Sequence, residues 1–222
     1  MAATISANSA GGGGLVTSGD ASGILQLQTT GVTGLTIDAS QNVTFANSLT
    51  SPTLTSPVIA GTPSGVGTLT SATAVASTSG TSINFTGIPS WVKRITVMFS
   101  GVSTNGTSLP RIQLGVSGVA TTSGYLGSWF ASASGVANGN ISAGIDFGDI
   151  AAAADIRHGN IVFTLLTGST WSFTGMTSLS SANRISYVSG SISLSGVLNM
   201  VRITTVNGTD TFDAGSINIM YE

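Results

Sequence analysis

Residues 94–99 read Arg-Ile-Thr-Val-Met-Phe, and every second side chain of this stretch is a large β-branched or aromatic group. This period of two predicts a strand with one face in a core. The same alternation recurs in residues 161–165, 171–174, 201–204 and 217–221. Turn-forming pairs separate the runs, namely Asn105-Gly106, Gly168-Ser169 and Asn207-Gly208. Residues 81–222 are therefore predicted to form about eight to ten antiparallel strands of a β-sandwich head domain, similar to a jelly roll.

The front of the chain shows the same alternation over shorter distances. Three pairs of apolar residues each flank one polar residue: Leu25 and Leu27, Leu35 and Ile37, Val43 and Phe45. We predict that residues 1–48 form an N-terminal attachment region with three short strands. Each strand offers only one narrow apolar face, and such a small sheet is marginally stable alone. We therefore expect partner chains to cover it.

Residues 49–80 connect these two regions and carry Pro52, Pro57 and Pro63 among Ser, Thr and Gly. Each proline fixes its own φ and pushes the preceding residue toward extended geometry, so a helix is excluded. We predict an extended shaft, because the lack of charge argues against a free, solvated linker. A flexible Ser/Thr/Gly linker is the alternative.

Charged side chains are unusually scarce in this chain. They make up 6% of its 222 residues, whereas a typical soluble domain has about 25%. Between Met1 and Trp91 only Asp20 and Asp38 are charged, and every Lys and Arg lies at or beyond Lys93. This composition predicts a protein that works within a larger assembly. The absence of a basic cluster argues against nucleic acid as a partner.

Two further features that the sequence lacks are cysteine and long apolar segments. The chain has no cysteine, which excludes disulfides, thiolate metal sites and thiol redox chemistry. No basic segment precedes an apolar run at the N-terminus, and no stretch reaches the roughly 18 uninterrupted apolar residues of a membrane helix. We expect neither a signal peptide nor a membrane span.

Three stretches resemble the proteins of one family. They are residues 82–106, SINFTGIPSWVKRITVMFSGVSTNG, residues 215–222, GSINIMYE, and residues 31–45, GVTGLTIDASQNVTF. The first two resemble C-terminal β domains of tailed-bacteriophage and prophage fibre proteins. The third resembles other parts of phage fibre proteins. The resemblance implies a virion protein, a homotrimer with an N-terminal attachment and shaft region and a C-terminal head.

Two places on the virion fit this resemblance. The first hypothesis is a tail fibre that contributes to host-surface recognition and adsorption. The alternative is a capsid decoration protein or head fibre. In either case the N-terminal region is expected to bind tail or capsid proteins. Trimerisation also follows from the residues themselves, because closed symmetry buries narrow apolar strand faces and hides strand edges.

Few side chains are available for catalysis or metal binding. His158 is the only histidine, and Asp146, Asp149 and Asp155 lie close together in sequence. A Ser-His-Asp site from Asp155 and His158 would need a positioned serine and oxyanion donors. The spacing of the three aspartates does not match an EF-hand calcium loop. We therefore predict a protein that is not an enzyme and has no catalytic residues, metal site or cofactor.

One group of aromatic residues is a candidate for receptor binding. Tyr125, Trp129 and Phe130 lie in the Gly/Ser-rich run from Ser123 to Gly135, which is predicted to be a loop. Aromatic side chains in a loop can stack on sugar rings or anchor a protein contact. If the head binds a receptor, these three residues are the candidates for binding a glycan or protein of the host surface. Core packing or a trimer interface is the role that the sequence favours for them.

Overall fold

The computed structural model describes residues 24–29, 31–45, 69–132, 136–148, 152, 153 and 155–222. These residues form strands and turns without any helix, and their strand pairs are antiparallel, so the all-β prediction is confirmed. No helix able to cross a membrane occurs in this part of the chain. The chain divides into two units, Met1–Gly61 and Thr62–Glu222. Much of the predicted attachment region and shaft, residues 1–23, 30 and 46–68, lies outside the described residues.

The N-terminal unit contains a three-stranded sheet in the order β1-β2-β3. Its strands are β1 (Leu25–Thr29), β2 (Val32–Ile37) and β3 (Val43–Phe45). Asp38 builds the turn between β2 and β3. Its carboxylate accepts hydrogen bonds from the Asn42 side-chain amide and from the backbone N–H groups of Asn42 and Ser40. These bonds, chiefly the one from the Asn42 side chain, stabilise the ionised carboxylate and lower the pKa of Asp38.

The C-terminal unit contains a nine-stranded and a five-stranded sheet. In chain order its strands are β4 (Thr70–Ser71), β5 (Val75–Ala76), β6 (Ile83–Thr86), β7 (Arg94–Thr104), β8 (Pro110–Val116), β9 (Val119–Ala120), β10 (Tyr125–Ser132), β11 (Val136–Ile141), β12 (Ile145–Asp146), β13 (Arg157–Thr167), β14 (Thr170–Leu179), β15 (Arg184–Ser193), β16 (Leu198–Thr205) and β17 (Phe212–Tyr221).

The order of strands differs between the two sheets. The large sheet has the order β11-β10-β15-β14-β13-β7-β17-β4, and β5 also pairs with β17. The small sheet has the order β12-β8-β16-β6, and β9 pairs with β8. Strands β4 and β5 belong to the described end of the predicted shaft, residues 69–80, and both pair with the last strand of the chain.

The two sheets share one apolar core. In the large sheet, Phe163 and Phe173 lie directly opposite each other, with ring centroids 6.2 Å apart. From the small sheet, Ile112, Leu114 and Ile203 are completely buried in the same cluster. In the large sheet the buried residues are mainly those that alternation places on one face of each strand, whereas β8 and β16 are buried on both faces over part of their length.

The C-terminus is fixed to the start of β7. The backbone carbonyl of Glu222 accepts hydrogen bonds from the N–H groups of Lys93 and Arg94, at 2.7 and 2.9 Å. Trp91 packs on Tyr221, with ring centroids 5.9 Å apart. The Arg94 guanidinium also forms an exposed ion pair with the Glu222 carboxylate, at 3.1 Å.

A second ion pair is largely buried between β8 and β12. The Arg111 guanidinium donates two hydrogen bonds to the Asp146 carboxylate, of 2.5 Å from Nε and 2.9 Å from Nη2. The two side chains are only 14% and 13% exposed. Hydrogen bonding to Asp146 raises the pKa of Arg111. Two parallel bonds between planar groups fix geometry as well as contributing energy.

We predict that Asp146→Ala lowers the free energy of unfolding by about 3 kcal/mol or more, because the Arg111 charge stays buried without its counter-ion. Glu222→Ala, in the exposed pair, is the control and is expected to cost about 1 kcal/mol or less. Urea unfolding followed by tryptophan fluorescence, at one protein concentration, measures both changes. Equal losses of stability in the two variants would contradict this assignment.

Candidate functional site

A line of large side chains crosses the outer face of the large sheet, the face turned away from the small sheet. Phe130 on β10 lies directly opposite Tyr187 on β15, and Tyr187 lies opposite Met176 on β14. The line continues to Asn160 on β13 and Met98 on β7. We call Phe130, Tyr187 and Met176 the outer row. Strand pairing alone brings these residues together, since they come from three separate parts of the chain.

The outer row is open to solvent. Phe130 is 41% exposed, and Tyr187 and Met176 are each 50% exposed. The rings of Phe130 and Tyr187 have centroids 6.4 Å apart and are tilted by 42° to each other, a favourable arrangement for an aromatic pair. The pair is therefore held by its own packing and still presents apolar surface to solvent.

The surface around the outer row is uncharged and mostly polar. On the outer face, β10, β14 and β15 carry no charged side chain. Two exposed apolar side chains, Leu126 and Ile185, lie on this face outside the row. The other positions outside the row hold hydroxyl groups: Ser128, Ser132, Thr170, Ser172, Thr174, Ser178, Ser189, Ser191 and Ser193. Exposed asparagines, Asn138 and Asn160, lie in register with the row on its two sides. Rings together with neutral hydrogen-bonding groups suit a neutral, hydroxyl-rich ligand better than an ionic one.

Strand alternation explains why the outer row exists. The residues on either side of Phe130 and Tyr187 along the chain point to the opposite face. Among them, Ala131 and Val188 are buried, at 0% and 3% exposure. The outer row therefore occupies the positions that alternate with core residues along the same strands.

The structure does not bring the three predicted receptor-binding residues together. The run from Ser123 to Gly135 consists mostly of strand β10, and its residues 133–135 lie outside the described part of the chain. Only Phe130 belongs to the outer face. Trp129 lies on the inner face, where its indole crosses Gly139 so closely that a Cβ there would be 2.6 Å from Nε1.

Tyr125 lies inside the core. It is 2% exposed, and its hydroxyl accepts a hydrogen bond from the Leu114 N–H at 2.8 Å and donates one to the Thr121 carbonyl at 3.1 Å. Burial raises the pKa of Tyr125 to about 12. The hydroxyl thus joins β8 to the segment that leads into β10.

Sequence reasoning missed Tyr187 and Met176. The alternation of β14 and β15 indicates that both residues point away from the core. The sequence does not reveal, however, that β15 pairs with β10 on one side and β14 on the other. Only that pairing places the two residues beside Phe130.

The residues considered for catalysis and metal binding are engaged elsewhere. Asp155 accepts hydrogen bonds from the Ala152 N–H and the Ser181 hydroxyl, and the His158 Nδ1 accepts one from the Gly101 N–H. Asp149 lies outside the described residues. Among the described residues, no three His, Asp or Glu side chains are grouped so that they could hold a metal ion.

Comparison with protein-family models, with curated protein sequences and with solved structures gave no match. Any functional argument therefore depends on the residues of this chain.

We predict that Tyr125→Phe lowers the free energy of unfolding at neutral pH by about 1–3 kcal/mol, because the buried Leu114 N–H loses its acceptor. Tyr187→Phe, on the exposed outer row, is the matched control and should change stability by less than about 0.5 kcal/mol. Urea unfolding at pH 7 measures both. Similar changes in the two variants would show that the Tyr125 hydroxyl has no structural role.

The same residue also gives a prediction for alkaline pH. The folded pKa of Tyr125, about 12, exceeds the ordinary value of 10.0, so the unfolded state loses its proton first. The stability that this phenol contributes is complete below pH 10 and is lost as the pH rises toward 12. Between pH 9 and 11.5 the free energy of unfolding should therefore decrease less in Tyr125→Phe than in the parent protein. Urea unfolding at each pH measures this decrease. Equal losses would contradict the raised pKa.

Proposed function

We propose that this protein is a structural protein of a bacteriophage virion, a homotrimeric tail fibre that contributes to host-surface recognition and adsorption. In this proposal, residues 81–222 form a β-sandwich head similar to a jelly roll. Residues 49–80 form the shaft, and residues 1–48 attach to tail or capsid proteins. The protein acts by binding its partners. It does not catalyse a reaction, and it uses neither a cofactor nor nucleic acid. The resemblance of residues 82–106, 215–222 and 31–45 to phage fibre proteins supports the virion assignment.

One observation carries the proposed role in recognition, namely the outer row on β10, β14 and β15, whose outer positions carry no charged side chain. Half-exposed aromatic side chains are costly to leave in water and are enriched where proteins bind partners. The neighbouring hydroxyl and amide groups can hydrogen-bond to a ligand that lacks charge. A neutral glycan of the host surface is the partner that this combination favours, and a host protein is the alternative.

A second candidate function is capsid decoration, or a head fibre. The observation that favours it is the shortness of the Pro-containing segment, residues 49–80, compared with a long repetitive shaft. On a capsid, the same outer row would provide weak adhesion to surfaces. The two candidates differ in where the protein is found on the particle and in how many copies are present.

We expect immunogold labelling of intact particles, with antibody against residues 81–222, to place the protein on the tail. A tail fibre is present in a small multiple of the tail symmetry, whereas a decoration protein covers the whole shell in many copies. Electron microscopy reads the position of the label, and quantitative gel densitometry of purified particles reads the copy number. Label spread evenly over the head would favour capsid decoration, and particles without label would remove the virion proposal.

We also expect that replacing Phe130 and Tyr187 by serine together lowers binding of the purified protein to host cells at least tenfold, because two aromatic contacts are each worth about 1 kcal/mol or more. Matched controls are Val119→Ser and Val197→Ser, which are 70% and 61% exposed and lie away from the outer row. They should bind like the parent protein.

Light scattering of the same variants separates binding from assembly. A Phe130 and Tyr187 variant that keeps its oligomeric state and loses cell binding supports a recognition surface. Unchanged cell binding, or loss of binding accompanied by dissociation into monomers, would show that the outer row is not that surface.

A further inference from the structure

The sheet of the N-terminal unit has two adjacent rows of apolar side chains on one face. Its register pairs Leu25 with Ile37 and Ile37 with Val43, which gives one apolar row across the three strands. A second row is formed in the same way two residues along each strand. We call the six side chains of these two rows the apolar face: Leu25, Leu27, Leu35, Ile37, Val43 and Phe45.

The apolar face is substantially exposed in the single chain. Leu25 is 44% exposed, Leu27 38%, Val43 52% and Phe45 45%. Even the two residues on the central strand, Leu35 and Ile37, are only partly buried. A contiguous apolar patch of this kind marks an interaction surface on a folded protein.

The opposite face of the same sheet is polar. Gln26, Thr36 and Thr44 form a row in register, and Gln28 donates hydrogen bonds to the side chains of Gln26 and Thr33, at 3.2 and 3.1 Å. Polar side chains of this kind can remain in water at little cost. The sheet therefore needs a covering partner on one side only.

The distribution of charge favours identical copies as that partner. Asp38 is the one charged residue among residues 24–45, and its carboxylate is engaged in the turn with Ser40 and Asn42. Copies of the apolar face can meet without repulsion between like charges. The face also carries no ionic group that would select a foreign, charged partner. Closed symmetry lets one surface cover itself on every copy.

We propose that the apolar face is the surface at which copies of this chain join, three such faces forming one shared core around a symmetry axis. The number three rests on the proposed function. The joining of copies at this face does not, because it follows from the register, exposure and charge of β1, β2 and β3.

Cysteine cross-linking of the full chain tests this proposal, because the natural sequence has no cysteine to interfere. Val43→Cys places a thiol on the apolar face, and Thr44→Cys places one on the polar face of the same strand. Under mild oxidation, Val43→Cys should form a covalent dimer on a denaturing gel, and Thr44→Cys should not. In a trimer only two of three thiols can pair, so the dimer should contain about two thirds of the chains at most. This fraction should not depend on protein concentration.

A second pair of variants tests whether the cross-link depends on the apolar face. Leu35→Asp puts a charge at the centre of the face, and Thr36→Asp puts one on the polar side of the same strand. Combined with Val43→Cys, the first should reduce the cross-linked fraction at least fivefold, and the second should leave it unchanged.

Two results would overturn the proposal. One is a cross-linking pattern that does not distinguish the two faces. The Val43→Cys and Thr44→Cys variants would then cross-link equally, or neither would cross-link while light scattering still shows an oligomer. The other is a Val43→Cys cross-link that survives Leu35→Asp. Neither result bears on the position of the protein on a particle. Conversely, the expected cross-links together with particles that carry no immunogold label would contradict the proposed virion function. That result would still support the apolar face as the surface at which copies join.

Discussion

The alternation of side chains along paired antiparallel strands governs both units of this protein, because each large side chain commits its neighbours to the opposite face. In β14, Trp171 and Phe173 enter the core at 3% and 2% exposure, and Met176 therefore points outward. A slip of one residue in register would expose both rings and bury polar residues in their place. The apolar core and the outer row are thus set by the same register, and neither can change without the other.

Buried polar contacts then fix where the strands begin. The Tyr125 hydroxyl binds the backbone on β8 and at Thr121, in the segment between β9 and β10. The ion pair between Arg111 and Asp146 joins β8 to β12. A satisfied buried polar group allows few alternative packings, because any shift leaves a donor or acceptor without a partner. Tyr125 therefore fixes the start of the strand that carries Phe130.

How much the sequence predicts depends on the range of the interaction involved. The alternation around residues 94–99 and 171–174 is local, and it was sufficient to predict strands and the faces they bury. The same holds for the three short strands that contain Leu25, Leu35 and Val43. Tyr125, Trp129 and Phe130 were grouped because they are close in sequence, yet a strand directs neighbouring residues to opposite faces. Tyr187 joins Phe130 only through the order of strands, which depends on the packing of the whole core and leaves no local signal.

The two exposed apolar surfaces differ in a way that bears on their roles. The outer row is one side chain deep, and most of its surroundings are hydroxyl and amide groups, although the exposed side chain of Ile185 lies two residues from Tyr187 on the same face. The apolar face of the N-terminal sheet is two rows deep and contains no polar side chain, so its composition resembles that of a protein core. Permanent subunit interfaces are more apolar than surfaces that bind and release partners. By that criterion the N-terminal sheet is suited to lasting contact between copies, whereas the outer row is suited to reversible contact with a hydroxyl-rich ligand.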